Sequence, residues 1–136
     1  MALSQKFVLD IEAPYAVAEA YLANPRNYPE WAAVDPNTYQ QLPNGDWSAE
    51  VRFGGVRHIR FSPPNGDGIF DHAVFAPGDP LLWMPLRISP LEDGTTRLEF
   101  TFLQRVGMSE TTFSSAIEWI NTDLMTLKTL IESQQG

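Results

Sequence analysis

The chain has 136 residues, of which 43% are hydrophobic, 12% aromatic and 19% charged, and it has no cysteine. That length suits one domain, residues 1–136, able to bury a core without staples, and the missing thiols exclude disulfides, thiolate catalysis and Cys-ligated metals. A formal charge of −8, from 17 acidic and 9 basic side chains, is the wrong sign for nucleic acid or for docking on an anionic membrane.

No apolar run approaches the roughly 20 residues of a membrane span. The opening MALSQKFVLDIEAP alternates apolar and polar residues and does not read as a signal peptide, so a soluble, cytoplasmic protein is expected. All 11 prolines lie between Pro14 and Pro90. Loops and interrupted strands are therefore expected in the middle, and an unbroken helix at the end.

Phe7, Leu9 and Ile11 share one parity and predict a first, half-buried strand within residues 3–12. Pro14 can open a helix, and Val17, Ala18, Tyr21 and Leu22 predict a short one over 14–23 that Asn24-Pro25 ends. A second short helix is expected over about 25–31. Strands then follow over 39–42, from Trp47 through Ala49 and Val51 to Phe53, and over 56–62, 69–75 and 82–90. Between them lie turns at Pro43-Asn44-Gly45-Asp46, at Gly54-Gly55 and over 63–68. Pro85 interrupts the 82–90 segment, which suggests an edge or a bulge. Glu92-Asp93-Gly94 is a hairpin turn leading into a strand with Leu98, Phe100 and Phe102 on one face and Arg97, Glu99 and Thr101 on the other.

Ser109 is a suitable N-cap, and Glu110 suits the positive end of the helix dipole. Behind them Phe113, Ala116, Ile117, Ile120, Leu124, Leu127 and Ile131 form one apolar stripe, opposite Glu118, Asn121, Asp123, Lys128 and Glu132. A single stripe has a single burial partner, so the helix is expected to lie across a sheet.

The order of elements, with the segments FVLDIEAPYAVAEAYLANPRNYPEW, GIFDHAV and GMSETTFSSAIEWINTDLMTLKTLIE, resembles the START, birch-pollen-allergen and polyketide-cyclase-like (SRPBCC) superfamily across nearly the whole chain. The DH pair followed by PLRISP is similar to an uncharacterised bacterial branch. The resemblance implies an α+β helix-grip fold: a curved antiparallel sheet of about seven strands around a long C-terminal helix, with two short helices after the first strand. It also implies an apolar or amphipathic small-molecule ligand, of lipid type among others, in a hydrophobic cavity between sheet and helix. In some members cyclisation or dehydration occurs there.

Three readings stay open: ligand binding, a cyclase or dehydratase, and a protein-interaction module with a filled core. No cofactor is expected, and the oligomeric state is open, a homodimer included. His72 shares a face with Phe70 and Val74; turned inward, its imidazole could bond a ligand or move a proton. Asp71 then points outward as an ion-pair partner, unless the register slips by one. Arg57 shares the parity of Ile59 and Phe61, and residues 51–75 carry a small positive charge between acidic flanks. It is the candidate for an anionic group, or else its head reaches solvent at the cavity mouth. His58 and Arg60 fall on the outer face. With no HxH or HExxH spacing, no metal site is expected. Trp31 is the candidate gate, while Trp47, Trp83 and Trp119 read as packing residues. The expected ligand-binding set is His72, Arg57, Trp31, Ile59, Phe61, Phe70 and Phe100, with His72 the catalytic candidate.

Overall fold

The computed structural model describes residues 3–51, 55–63 and 66–134. The expected positions of Phe53, Gly54, Pro64 and Asn65 lie outside them. In chain order the elements are β1 (Ser4–Ile11), α1 (Tyr15–Leu22), a 3-10 turn (Pro25–Asn27), α2 (Tyr28–Trp31), a second 3-10 turn (Pro36–Thr38), β2 (Gln40–Gln41), β3 (Trp47–Glu50), β4 (Val56–Phe61), β5 (His72–Phe75), β6 (Leu86–Pro90), β7 (Thr96–Leu103) and α3 (Glu110–Ser133). All strand pairs are antiparallel, in the ladders β1-β7-β6 and β2-β3-β4-β5. Two isolated bridges, Ile69 to Arg87 and His72 to Met84, bring β5 beside β6, so the two ladders adjoin and the strands follow in the order β1-β7-β6-β5-β4-β3-β2. With α3 across these strands and two short helices after β1, this is the expected helix-grip fold.

The joint between the ladders is where the strands are shorter than the alternation suggested. The 82–90 segment pairs fully only from Leu86, because Pro85 has no N–H to donate; its carbonyl still accepts from Thr101 N–H at 2.9 Å. The 69–75 segment becomes a strand only at His72. Gly68 lets the preceding loop reach β6: its φ is +76°, and Ile88 N–H donates to its carbonyl at 2.9 Å. A Cβ there would lie 2.3 Å from the Ile88 carbonyl oxygen, so only glycine fits.

The helix α3 follows its stripe. Ser109 Oγ accepts from Thr112 N–H at 3.1 Å and caps the first turn. Phe113, Leu124, Leu127 and Ile131 are buried, while Ala116, Ile117 and Ile120 are half-buried. Phe113 stacks on Phe102 with 5.2 Å between ring centroids. Lys128 and Glu132, expected on the solvent face, are instead half-buried and paired, and Glu132 also accepts from Glu12 N–H at 2.7 Å.

Two apolar clusters result. The larger joins α1, β1, β6, β7 and α3 around Ile11, Leu86, Leu98 and Leu127. The smaller joins Tyr28 and Ala32 to Trp47, Ala49 and Ile59 on β3 and β4. Among the described residues, no helix is long and apolar enough to cross a membrane.

Candidate functional site

A cleft of about 240 Å³ opens where the α1–α2 connection passes over β4, β5 and the start of β6. Asparagine chemistry sets that connection. Asn24 Oδ1 accepts from Arg26 N–H at 3.0 Å, and Asn27 Nδ2 donates to the Tyr21 carbonyl at 2.9 Å. Tyr39 Oη ties the turn to the sheet side by donating to the Pro25 carbonyl at 2.7 Å. These bonds turn Tyr28 and Trp31 toward the sheet, and both line the cleft.

The opposite wall comes from the β4–β5 register. Phe61 pairs with His72 and Ile59 with Val74, so all four side chains share the inner face. Ser62 N–H continues the pairing onto the Asp71 carbonyl at 2.9 Å. His72 and Met84 exchange both backbone bonds, at 3.2 and 2.9 Å, which fixes His72 at the joint between the ladders.

His72 is 6% exposed and sits between the two apolar clusters. Phe100 of the larger cluster stacks on it, with centroids 5.7 Å apart and planes 16° apart. Tyr28 meets its ring edge-on at 5.5 Å, Trp31 does so at 6.4 Å, and Phe61 lies tilted at 6.1 Å. Burial among these rings pushes the imidazole down to about 4, against the opposing pull of a hydrogen bond with the Phe70 backbone and of the Asp71 charge. His72 is therefore neutral at pH 7.

The charged groups that line the cleft, Asp46, Arg60 and Asp71, are already matched. Arg60 makes a two-pronged pair with Asp46, both bonds at 2.8 Å, which holds the Asp46 carboxyl below its usual range. Asp71 turns away from the core: it accepts from Leu86 N–H at 2.9 Å and pairs with Arg87 at 2.9 Å. Arg60 lies on the outer face, half-buried, with its guanidinium 5.8 Å from the Phe75 ring centroid.

Of the seven residues expected to bind ligand, four line this cleft: His72, Trp31, Phe61 and Phe70. Phe100 forms the far side of the His72 ring, and Ile59 is fully buried in the smaller cluster. Arg57 is not part of the lining; its Nη1 donates to the neighbouring Val56 carbonyl at 3.1 Å. Nor does α3 contribute to the lining, because its stripe packs directly on the sheet. The cleft thus lies under the short helices, whereas the sequence placed a cavity under the long one. Asp46, Asn24 and Asn27 are site residues that sequence reasoning missed. The N-P and N-G turns were legible, but which turn closes on which strand depends on tertiary contacts.

No family model matches the chain, and no curated protein matches it in sequence. Solved structures do match. The Zhui aromatase/cyclase from Streptomyces sp. R1128 superposes with a TM-score of 0.80 at 14% identity, covering 100% of this chain and 97% of that one. A START superfamily protein from Mycobacterium smegmatis matches with a TM-score of 0.68 at 12% identity, over 96% and 98% of the two chains. Ara h 8.0201, an allergen of the Bet v 1 kind, matches with a TM-score of 0.70 at 6% identity, over 98% and 99%. At such identities the likeness establishes the fold, which is the SRPBCC-like helix-grip fold.

Proposed function

We propose that the protein binds a small, uncharged, largely apolar molecule in the cleft between the α1–α2 connection and β4–β5, with His72 as its polar anchor. The observation that carries this reading is a neutral imidazole ringed by Tyr28, Trp31, Phe61 and Phe100 at the wall of an open cleft. An apolar pocket with few converging polar groups is what orients a small ligand. The volume of about 240 Å³ falls below the roughly 300–1,000 Å³ of drug-sized sites, so the ligand is compact. Charge matching points the same way. Asp46 is neutralised by Arg60 and Asp71 by Arg87, which leaves no surplus charge there to select an ion.

The imidazole also has bonding capacity to offer. One side of the ring is engaged with the Phe70 backbone, and no buried side-chain nitrogen or oxygen among the described residues lacks a partner. His72 lines the cleft, and we take its remaining nitrogen as the group a ligand meets there. In a neutral imidazole whose other nitrogen donates to a carbonyl, it is an acceptor, and it favours a ligand with a hydroxyl or amide N–H.

A cyclase or dehydratase reading, parallel to the Streptomyces structural neighbour, has less behind it. An acid–base group works best with a pKa near the working pH, and an imidazole at about 4 is a weak base at pH 7 and carries almost no proton to give. The test is a thermal-shift and calorimetric screen of small neutral aromatic and aliphatic alcohols, amides and ketones, with matching carboxylates, against wild type, Trp31→Ala and His72→Ala. Neutral ligands should stabilise wild type, lose affinity with Trp31→Ala, and lose discrimination between hydroxyl and methoxy analogues with His72→Ala. No binding by wild type would favour the interaction-module reading instead.

A further inference from the structure

Strand β1 is an edge: among the described residues it pairs with β7 on one side and with no strand on the other. Its hydrogen-bonding parity is fixed. Gln104 N–H donates to the Leu3 carbonyl at 2.9 Å, so the odd-numbered residues turn their backbone groups to β7 and the even-numbered ones turn them to the open edge. Two side-chain contacts fit this: Gln5 Nε2 donates to the Lys6 carbonyl at 3.2 Å, and Glu132 accepts from Glu12 N–H.

The same even-numbered residues carry Lys6, Val8 and Asp10 on the outer face. Val8 is 54% exposed. Edge strands are commonly blunted by charge, but here the two charges have opposite sign and equal spacing about Val8. A two-fold axis through Val8 would place Lys6 opposite Asp10 of the second copy, Asp10 opposite its Lys6, and the two valines together. Open-edge backbone groups then face open-edge backbone groups, as an antiparallel ladder requires. The pairing also extends an existing charge row. Asp10 already accepts from Arg97 at 2.9 Å, and Lys6 already pairs with Glu99 at 2.5 Å.

We infer that β1 is a self-complementary edge through which two copies of this chain pair antiparallel about Val8, joining their sheets. An eight-residue edge buries less than the roughly 1,200–2,000 Å² of stable complexes, so the dimer is a weak, reversible one. This inference is independent of the ligand reading.

Sedimentation velocity over a wide concentration range tests it. Wild type should dimerise on concentration at a salt level that screens the repulsion between two copies of net charge −8. Val8→Pro removes an N–H that the β1–β7 ladder does not use, so the fold should survive while the dimer dissociation constant rises about tenfold or more. Lys6→Glu and Asp10→Lys should each weaken self-association, and a mixture of the two should form a heterodimer, which holds even if the proline variant misfolds. A wild type that stays monomeric at the highest concentration would overturn the inference. So would a dimer indifferent to these exchanges.

Discussion

Acidification is the sharpest probe of the buried imidazole. In the unfolded chain His72 takes up a proton near its ordinary value of 6.5; in the folded protein burial among rings delays this to about 4. The folded value is depressed, so His72 contributes stability that is complete above pH 6.5 and is lost as pH falls toward 4. At 1.36 kcal/mol per pH unit the full loss is about 3 kcal/mol, of which about 2 kcal/mol falls between pH 7 and pH 5. In that window the depressed carboxyls, chiefly Asp46 held by Arg60 and Asp10 held by Arg97, remain ionised; their own contribution is lost only at lower pH. Urea unfolding at pH 7, 6 and 5 on wild type and His72→Leu should show wild type losing about 2 kcal/mol more than the variant. His58 is present in both proteins, so the difference belongs to His72. Equal losses would mean that His72 takes up a proton as readily in the folded protein as in the unfolded chain, and that burial does not depress it.

Two further outcomes follow from packing. Leu124 is 2% exposed against the sheet, and Leu124→Ala should cost about 2–5 kcal/mol in chemical unfolding; a loss below about 1 kcal/mol would mean an unfilled space under α3. Gly68→Ala should cost about 1–3 kcal/mol from its positive φ alone, and more from the contact with the Ile88 carbonyl, read as a fall in melting temperature with the β5–β6 amides exchanging first.

The legible parts of the fold were those where one face decides. In β7, Leu98 and Phe100 are buried and Arg97 is exposed, as strict alternation requires. In α3 the cap and the stripe fix both the start and the buried side. The joint between the ladders was less legible. Ala73 and Phe75 are buried as well as His72, since Phe75 is covered by His58 and Arg60 on the outer face, so alternation there carries little signal. His72 is buried and Asp71 pairs with Arg87 on the other side of the strand, yet both residues line the cleft, so alternation alone does not sort them. Nor did its parity bring Arg57 to the cleft, because a long side chain at a strand start can fold back on its own backbone. The cleft itself depends on the angle between α1 and α2. Asn24 and Asn27 set that angle through local bonds, which a hydrophobic pattern does not encode.

The central claim is where a ligand sits, and amide chemical-shift mapping with the best neutral binder from the screen tests it most directly. Shifts should concentrate at residues 21–31, 60–63 and 70–72, with the α3 stripe from Phe113 to Ile131 little changed. Shifts centred on the α3 stripe and the inner face of β7, with residues 21–31 silent, would place the ligand under the long helix and contradict it.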